Sequence, residues 1–429
     1  MRQKTVRETE HDGTSAFHFP AGFLWGAATS SHQVEGNNRW NDWWESEQSG
    51  ILPYRSGEAC RHYTLYEHDF DLAQAWGHNA HRFSIEWSRI EPEEGRWNDA
   101  AVAHYQDVVT ALRARGMEPI VTLHHFTNPA WFARRGGWLQ RDSPLLFSRY
   151  VQRVASSLKD VRYWLTINEP TVYAKRGFVA GDWPPFVKRS WLKAARVIRN
   201  MARAHVAAYR ALHGPGWGNV RVGFAHSAPW IVPCDPTRPR DRTAAWLRDF
   251  LLNRAFFRLI DSPLGRGRSR RRPLDFVGLN YYARTVVRGG DGIAAWIGEE
   301  CRLDHHPDRR AFSDIGWEIY PRGLAAVLVR FSSLGLPLMI TENGLATADE
   351  ELRRVFLREH LAAVAEALER GADVIGYLYW SLIDNFEWAL GRQARFGLAE
   401  VDHRTQRRIS RPAAAEYASV CRSNRLSPP

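Results

Sequence analysis

Short apolar runs alternate with longer stretches of helical periodicity along this chain. The runs are FLWGAATS (23–30), AHRFSI (80–85), PIVTLHH (119–125), YWLTINE (163–169), RVGFAHSA (221–228), DFVGLNYY (275–282), PLMITEN (337–343) and DVIGYLYW (373–380). Near-continuous apolar runs of this length suit parallel strands covered on both faces. The intervening stretch NDAAVAHYQDVVTALRARG opens on the cap residues Asn98 and Asp99 and ends at Gly116. In DSPLLFSRYVQRVASSLKD, Ser143 is placed as a cap and Pro144 at the first helical position. Residues 189–214, 243–261, 323–335 and 351–371 read as helices too. Eight strand-to-helix alternations predict an α/β fold, a closed (β/α)8 TIM barrel in one domain, with an open doubly wound sheet as the alternative. No G-x-G-x-x-G follows the first run, so the dinucleotide-binding open sheet lacks its best evidence. The barrel is expected over residues 16–420, between a loose arm at 1–15 and a tail at 421–429.

The 429 residues suffice for a large core, and α/β barrels run to this size as one unit. The composition is globular, 44% hydrophobic and 24% charged. Nineteen Trp supply flat apolar faces, mostly for the core but also of the kind a sugar ring stacks on. The net charge of +11 would suit nucleic acid if it were concentrated, and one block is dense: GRGRSRRRP, 265–273. No nucleic-acid module surrounds that block, so it reads as a solvated Arg-rich connection. Cys60, Cys234, Cys301 and Cys421 lie far apart and form no metal-type pair. Residues 1–20 lack the apolar core of a signal peptide, and no run is long enough to span a bilayer. The expectation is a soluble cytoplasmic protein without membrane or nucleic-acid partners.

A barrel presents its chemistry at the C-terminal ends of its strands. Those ends carry Gln33 and Glu35; Arg82; His124 and His125; Asn168 and Glu169; Asn280 and Tyr282; Glu342; and Trp380, with Glu387 and Trp388 just beyond. Glu169 and Glu342 both end apolar runs, the first stopped by Pro170 and the second by the turn pair Asn343-Gly344. Two carboxylates so placed are the minimum equipment for acid/base and nucleophilic work on a glycosidic bond. A metal site is the weaker reading of the imidazoles. Neighbouring strand residues point to opposite faces, so only one of His124 and His125 can face the pocket, and the other histidine pair lies in DHHPD (304–308). No Gly-rich phosphate loop and no G-x-S-x-G elbow is present. No cofactor and no metal is expected.

The stretches FLWGAATSSHQVEG, RFSIEWSRI, TINEP, FVGLNYY, GWEIYPRGL, ITENG and YLYWSLIDNFEW together resemble glycoside hydrolase family 1, the retaining β-glucosidase family. The resemblance covers the chain from about residue 17 to about 418, and the set is far more specific than NEP or ENG alone. The resemblance implies Glu169 as general acid/base and Glu342 as nucleophile. It implies Asn168 at the sugar 2-hydroxyl, with Asn280 beside Tyr282, which holds the nucleophile. Arg82 matches a buried arginine near the nucleophile, and both Arg82 and Asn280 also admit a scaffolding role. Gln33, His125, Trp380, Glu387 and Trp388 match the residues that bind the nonreducing sugar, and Trp317 in GWEIY matches the aromatic wall of the aglycone site. The implied partner is a small β-glycoside or short oligosaccharide: a glucoside first, galactoside or fucoside second. A transglycosylase using the same glycosyl-enzyme, and a catalytically silent sugar-binding barrel, are the alternatives. The chain departs from the family pattern at Phe126, where many members carry Trp, and in the short stretch before the sixth strand, which implies reduced loops on the aglycone side.

Overall fold

The computed structural model describes residues 16–214, 218–262, 272–290, 297–301 and 311–427. Eight strands form a closed, all-parallel barrel: β1 Leu24–Ala28, β2 Ala80–Ser84, β3 Glu118–Thr122, β4 Tyr163–Asn168, β5 Arg221–Ser227, β6 Val277–Asn280, β7 Leu338–Asn343 and β8 Val374–Trp380. They pair in chain order, and β8 closes on β1 through Tyr377–Trp25 and Trp380–Ala28. The eight apolar runs of the sequence are therefore these strands, and the open sheet is excluded.

The helices surround the barrel. Asn98 caps Asp99–Ala114 by accepting from the Ala101 N–H at 3.2 Å. The next helix, Ser143–Ser157, differs in detail from the sequence reading. Ser143 is its first helical residue rather than its cap, because its hydroxyl donates back to the Gln140 carbonyl (2.9 Å) instead of accepting from the first turn. Pro144 consequently sits at the second helical position, where a missing N–H still costs nothing. Glu350–Glu369 is capped by Asp349, which accepts from the Leu352 N–H at 3.0 Å.

Inside the barrel each strand or its flank places one apolar residue in a common cluster: Ala28, Ala80, Ile120, Leu165, Ala225, Phe276, Met339 and Leu378, all essentially without exposed surface. This plug fills the lower barrel, as a barrel of eight strands requires. Above it the inward positions turn polar, with Arg82, Thr122 and Thr341 two residues further along β2, β3 and β7.

The two ends of the described chain are joined beneath the plug. The last helix runs on to Ser423, Asn424 accepts from the Trp25 indole (2.9 Å), and Arg425–Leu426 pairs antiparallel with Phe17–His18. Residues 421–426 are thus part of the folded body, because the Asn424 amide and the short ladder tie them to the entry of β1. The arm at 1–15, the His pair of DHHPD and all of the Arg block except Arg272 and Pro273 lie outside the described residues. Arg272 is anchored by Asp261 at 2.9 Å.

A small sheet, Trp230–Pro233, Arg284–Arg288 and Glu299–Glu300, extends beyond the C-terminal ends of β5 and β6. Cys234 and Cys301 are joined by a disulfide in this sheet, with Cα atoms 6.1 Å apart, while Cys60 and Cys421 are free and buried. A separation of 67 residues gives no sequence signal for such a pair. Among the described residues no helix is long and apolar enough to cross a membrane.

Candidate active site

Glu342 sits at the C-terminal end of β7 and both its oxygens accept hydrogen bonds. Arg82 Nη1 donates to Oε1 at 2.5 Å and the Tyr282 hydroxyl to Oε2 at 2.7 Å. Arg82 has no exposed surface, its Nη1 donates also to the Thr341 carbonyl of β7 (3.2 Å), and β3 and β4 hold its other two nitrogens. Its Nε donates to Thr122 Oγ1 (2.9 Å) and its Nη2 to Asn168 Oδ1 (2.7 Å). Asn280 links the Glu169 carboxyl to Asn168, which Arg82 in turn connects to Glu342. Its Nδ2 donates to Glu169 Oε1 at 2.9 Å and to Asn168 Oδ1 at 3.1 Å, while its Oδ1 accepts from Thr341 at 2.6 Å.

Glu169 lies between β4 and a short helix that starts at Pro170, and its backbone is left-handed at φ +43°. For a side chain with a Cβ this conformation is unfavourable by about 1 kcal/mol, and it persists only where the surroundings enforce it. Here the Glu169 N–H donates to the Ala225 carbonyl of β5 (2.8 Å), and its own carbonyl begins the following helix. Phe126 and Trp388, at φ +71° and +51°, are two further left-handed residues around the same mouth.

Irregular register decides which side chains reach the centre. Strict alternation from Leu165 would turn Ile167 inward. The β4–β5 ladder slips between Leu165 and Asn168, so Ile167 packs in the outer core and Asn168 enters the site. On β7 the ladder slips between Ile340 and Glu342, and both Thr341 and Glu342 reach the polar network. Bulges next to active sites re-aim side chains in this way. Asn343-Gly344 does not form the expected turn. Gly344 keeps an ordinary φ, and a Cβ there would overlap the Trp380 carbonyl oxygen, so glycine lets β7 and β8 meet at the site.

The second half of the pocket is aromatic. β3 ends at Thr122, so His124 and His125 lie just past it, and they do part company. His124 turns to Asn128 and Trp138, whereas His125 Nε2 accepts from Asn168 Nδ2 at 3.2 Å. The His125 ring lies nearly parallel to Trp380 (5.9 Å) and to Trp388 (6.1 Å). Gln33 Nε2 donates to Glu387 Oε2 at 3.0 Å and to Asn385 Oδ1 at 3.1 Å. Trp317 stands at the rim, 41% exposed, with its ring 5.2 Å from that of Tyr282. Phe126, packed on Trp183 (4.8 Å) and Trp388 (5.3 Å), belongs to the same wall.

All twelve residues to which the family resemblance gave a role therefore lie in one network. Glu35, read from the sequence as another strand-end residue, does not: it caps the short helix Ser31–Val34 and turns away to Arg89 (2.8 Å) and Tyr105 (2.7 Å). The reading missed Thr122, Thr341 and Asn385, which hold Arg82, Asn280 and Gln33. Threonine is an ordinary strand former, so nothing in the sequence marks these two as polar anchors.

The electrostatics differ sharply between neighbours. Burial, then the charge of Glu342, raises the Glu169 carboxyl to about 8 against the Asn280 hydrogen bond and Arg82. Glu387 is partly exposed, yet loss of water around its carboxyl and the charge of Glu342 raise it to about 8, against hydrogen bonds from Gln33 and Trp380. Burial and the adjacent Arg82 hold His125 well below the usual imidazole range, so it is neutral. One carboxyl carries a proton at neutral pH beside another that accepts from a guanidinium and a phenol. That pairing can protonate a leaving oxygen and attack the carbon it leaves. Among the described residues no group of His, Cys, Asp and Glu could hold a metal ion.

The model of glycosyl hydrolase family 1 matches residues 15–263 and 268–426. The fold is similar to a β-glycosidase from Pyrococcus horikoshii: TM-score 0.89, 43% identity, covering 96% of this chain and 97% of that one. It is also similar to a family 1 β-glucosidase from Thermotoga maritima: TM-score 0.88, 29% identity, covering 96% and 99%. In sequence the chain is 30% identical to a 6-phospho-β-galactosidase from Staphylococcus haemolyticus, over 95% of this chain and 99% of that protein. With the family shown along nearly its whole length, this chain belongs to glycosyl hydrolase family 1 and is a retaining β-glycosidase that works through a glycosyl-enzyme intermediate.

Proposed function

We propose that the protein is a β-glucosidase acting on unphosphorylated terminal β-glucosyl residues, with Glu342 as nucleophile and Glu169 as general acid/base. The observation that carries the assignment is the division between the two carboxyls. Glu169 is protonated near neutrality, whereas Glu342 accepts hydrogen bonds at both oxygens. In the first displacement Glu342 bonds to the anomeric carbon as the glycosidic bond breaks, and Glu169 transfers its proton to the departing oxygen. In the second, Glu169 takes a proton from water, whose oxygen displaces Glu342 and restores the β-configuration. Tyr282 and Arg82 hold Glu342 for attack. Asn168, itself held by Arg82 and Asn280, is placed for the 2-hydroxyl. Gln33, His125, Trp380, Glu387 and Trp388 take the glycone, and the exposed Trp317 face takes the aglycone.

Discrimination against a 6-phosphosugar rests on hydrogen bonding at Glu387 more than on its charge. With its carboxyl raised to about 8, Glu387 is largely protonated in the open site at neutral pH, so repulsion of a phosphate by about −2 is weakened there. A neutral sugar with hydroxyls at Glu387 and Gln33 still satisfies these groups, and a phosphate displaces that pairing. The test is an aryl β-glycoside panel (glucoside, galactoside, fucoside, mannoside, 6-phosphoglucoside) read by phenol release. Faster cleavage of the 6-phosphoglucoside than of the glucoside overturns this reading. Added acceptor alcohols, with product analysis, measure how far transglycosylation competes with hydrolysis. The proposed location is the cytoplasm, checked by cell fractionation; recovery from an oxidising compartment would match the Cys234–Cys301 bridge instead.

A further inference from the structure

Beneath the glycone wall lies a pair of groups that the mechanism above does not use. Trp380, His125, Trp388 and His32 form a run of near-parallel rings, with interplanar angles of 20°, 15° and 14° between successive members. His32 is the end plate, 5.7 Å from Trp388 and 1% exposed. Its orientation is fixed at both nitrogens: Nε2 lies 2.9 Å from Glu47 Oε1 and Nδ1 3.1 Å from Asn41 Nδ2. Because Asn41 Nδ2 can only donate, Nδ1 is the acceptor and Nε2 carries the proton shared with Glu47. Glu47 is anchored in turn by Ser56, through its N–H at 2.8 Å and its hydroxyl at 2.6 Å. The Ser56 carbonyl accepts from Arg392, which stands just after the loop carrying Trp388. The chain of contacts therefore returns to the element that it supports.

The neighbouring residue completes the pattern. Gln33 holds the carboxyl of Glu387, while His32 holds the ring of Trp388, so consecutive residues of one short helix grip consecutive residues of one loop. Trp388 needs such support, since its backbone is left-handed at φ +51°.

We propose that His32, oriented by Glu47, is a positioning residue that fixes the plane of Trp388 and thereby sets affinity for the glycone. The inference rests on the placement of Trp388 in the glycone site. The groups facing the His32 ring are Glu47, Glu86 and Asp42, with Trp43, Phe386 and Trp388 packed around it. Burial alone would lower its pKa, but the hydrogen bond and charge of Glu47, then Glu86 and Asp42, raise it overall. Near-coplanar stacking brings the His32 ring face against the indole and holds its plane.

The experiment compares His32→Gln, Glu47→Ala and Trp388→Ala with the unaltered enzyme, by kcat and KM on an activated aryl glucoside and by the binding constant of a glucose-shaped iminosugar. Loss of the plate should raise KM and weaken the iminosugar about three- to tenfold, in proportion, with kcat within about twofold. Glu47→Gln, which keeps a hydrogen bond to the ring, should restore KM to near its original value. A folded His32→Gln with unchanged KM and iminosugar binding overturns the proposal. If that variant does not fold, Glu47→Ala with unchanged constants overturns it. In the unaltered enzyme, iminosugar binding should shift the His32 ring-nitrogen NMR signals, and unmoved signals also overturn it. If Trp388→Ala leaves KM unchanged, the glycone placement itself is wrong; if only Trp388→Ala raises KM, the placement stands and the role of His32 falls.

Discussion

Arg82 and Glu342 meet 260 residues apart in sequence, Nη1 to Oε1 at 2.5 Å, with the guanidinium wholly enclosed by the barrel. Arg82 is in contact with Glu342, the proposed nucleophile, and it also reaches Asn168. Removing one partner of such a buried pair typically costs about 3–5 kcal/mol. Arg82→Met should therefore lower kcat/KM at least a hundredfold and also lower Tm. Arg82→Lys, which cannot reach Glu342, Asn168 and Thr122 together, should recover the stability better than the activity. Parallel recovery of both would show Arg82 to be scaffold only.

Glu342→Gly should abolish hydrolysis with the fold intact by circular dichroism, since no carboxylate remains to form the covalent bond. Azide with a dinitrophenyl glucoside should restore turnover and yield the α-glycosyl azide, identified by NMR. A β-azide product would assign the nucleophile elsewhere.

Glu169→Gln should separate substrates by leaving group. Proton donation to the departing oxygen is worth roughly 10²–10⁴-fold, and a dinitrophenolate scarcely needs it. Single-turnover glycosylation of an alkyl glucoside should fall by that range while the dinitrophenyl glucoside changes little. Azide should rescue the variant with a β-glycosyl azide, because the intermediate then leaves without base assistance.

The raised carboxyls set two pH dependences. Activity needs Glu169 protonated, so kcat/KM should fall as pH rises through about 8. For stability, Glu169 and Glu387 titrate near 8 when folded and near their ordinary 4.5 when unfolded, and buried Asp42 near 7 against 3.8. Between these values the three groups hold more protons in the folded chain than in the unfolded one, so their contribution to stability is greatest at the acid side and declines as pH rises from about 4.5 to 8. Below their ordinary 6.5 the buried histidines His78, His124, His205, His226 and His360, held at about 3 to 4, act in the opposite sense, so Tm should fall between about pH 6.5 and 8 for the wild type, and less steeply for Glu169→Gln/Glu387→Gln.

The sequence by itself determined the barrel, because eight apolar runs at helix-length spacing have few other solutions and pattern is a local property. It also placed Glu169 and Glu342 at one mouth, since each stands at a strand end and barrel strands all end on one face, while the residues around them were implied by the family resemblance. Tertiary structure decided what depends on contact between distant segments. The slip of β4 that turns Asn168 inward instead of Ile167 is invisible to alternation, which assumes an unbroken register. Gly344 looked like a turn residue but serves the close approach of β7 to the Trp380 carbonyl, a neighbour that only barrel closure supplies. The Cys234–Cys301 bridge and the plate of His32 beneath Trp388 are likewise meetings across the chain, 67 and 356 residues apart in sequence. The high pKa of Glu169 belongs to the same class. Its residue type sets 4.5, and the lost water and the charge of Glu342, which the fold alone supplies, set about 8.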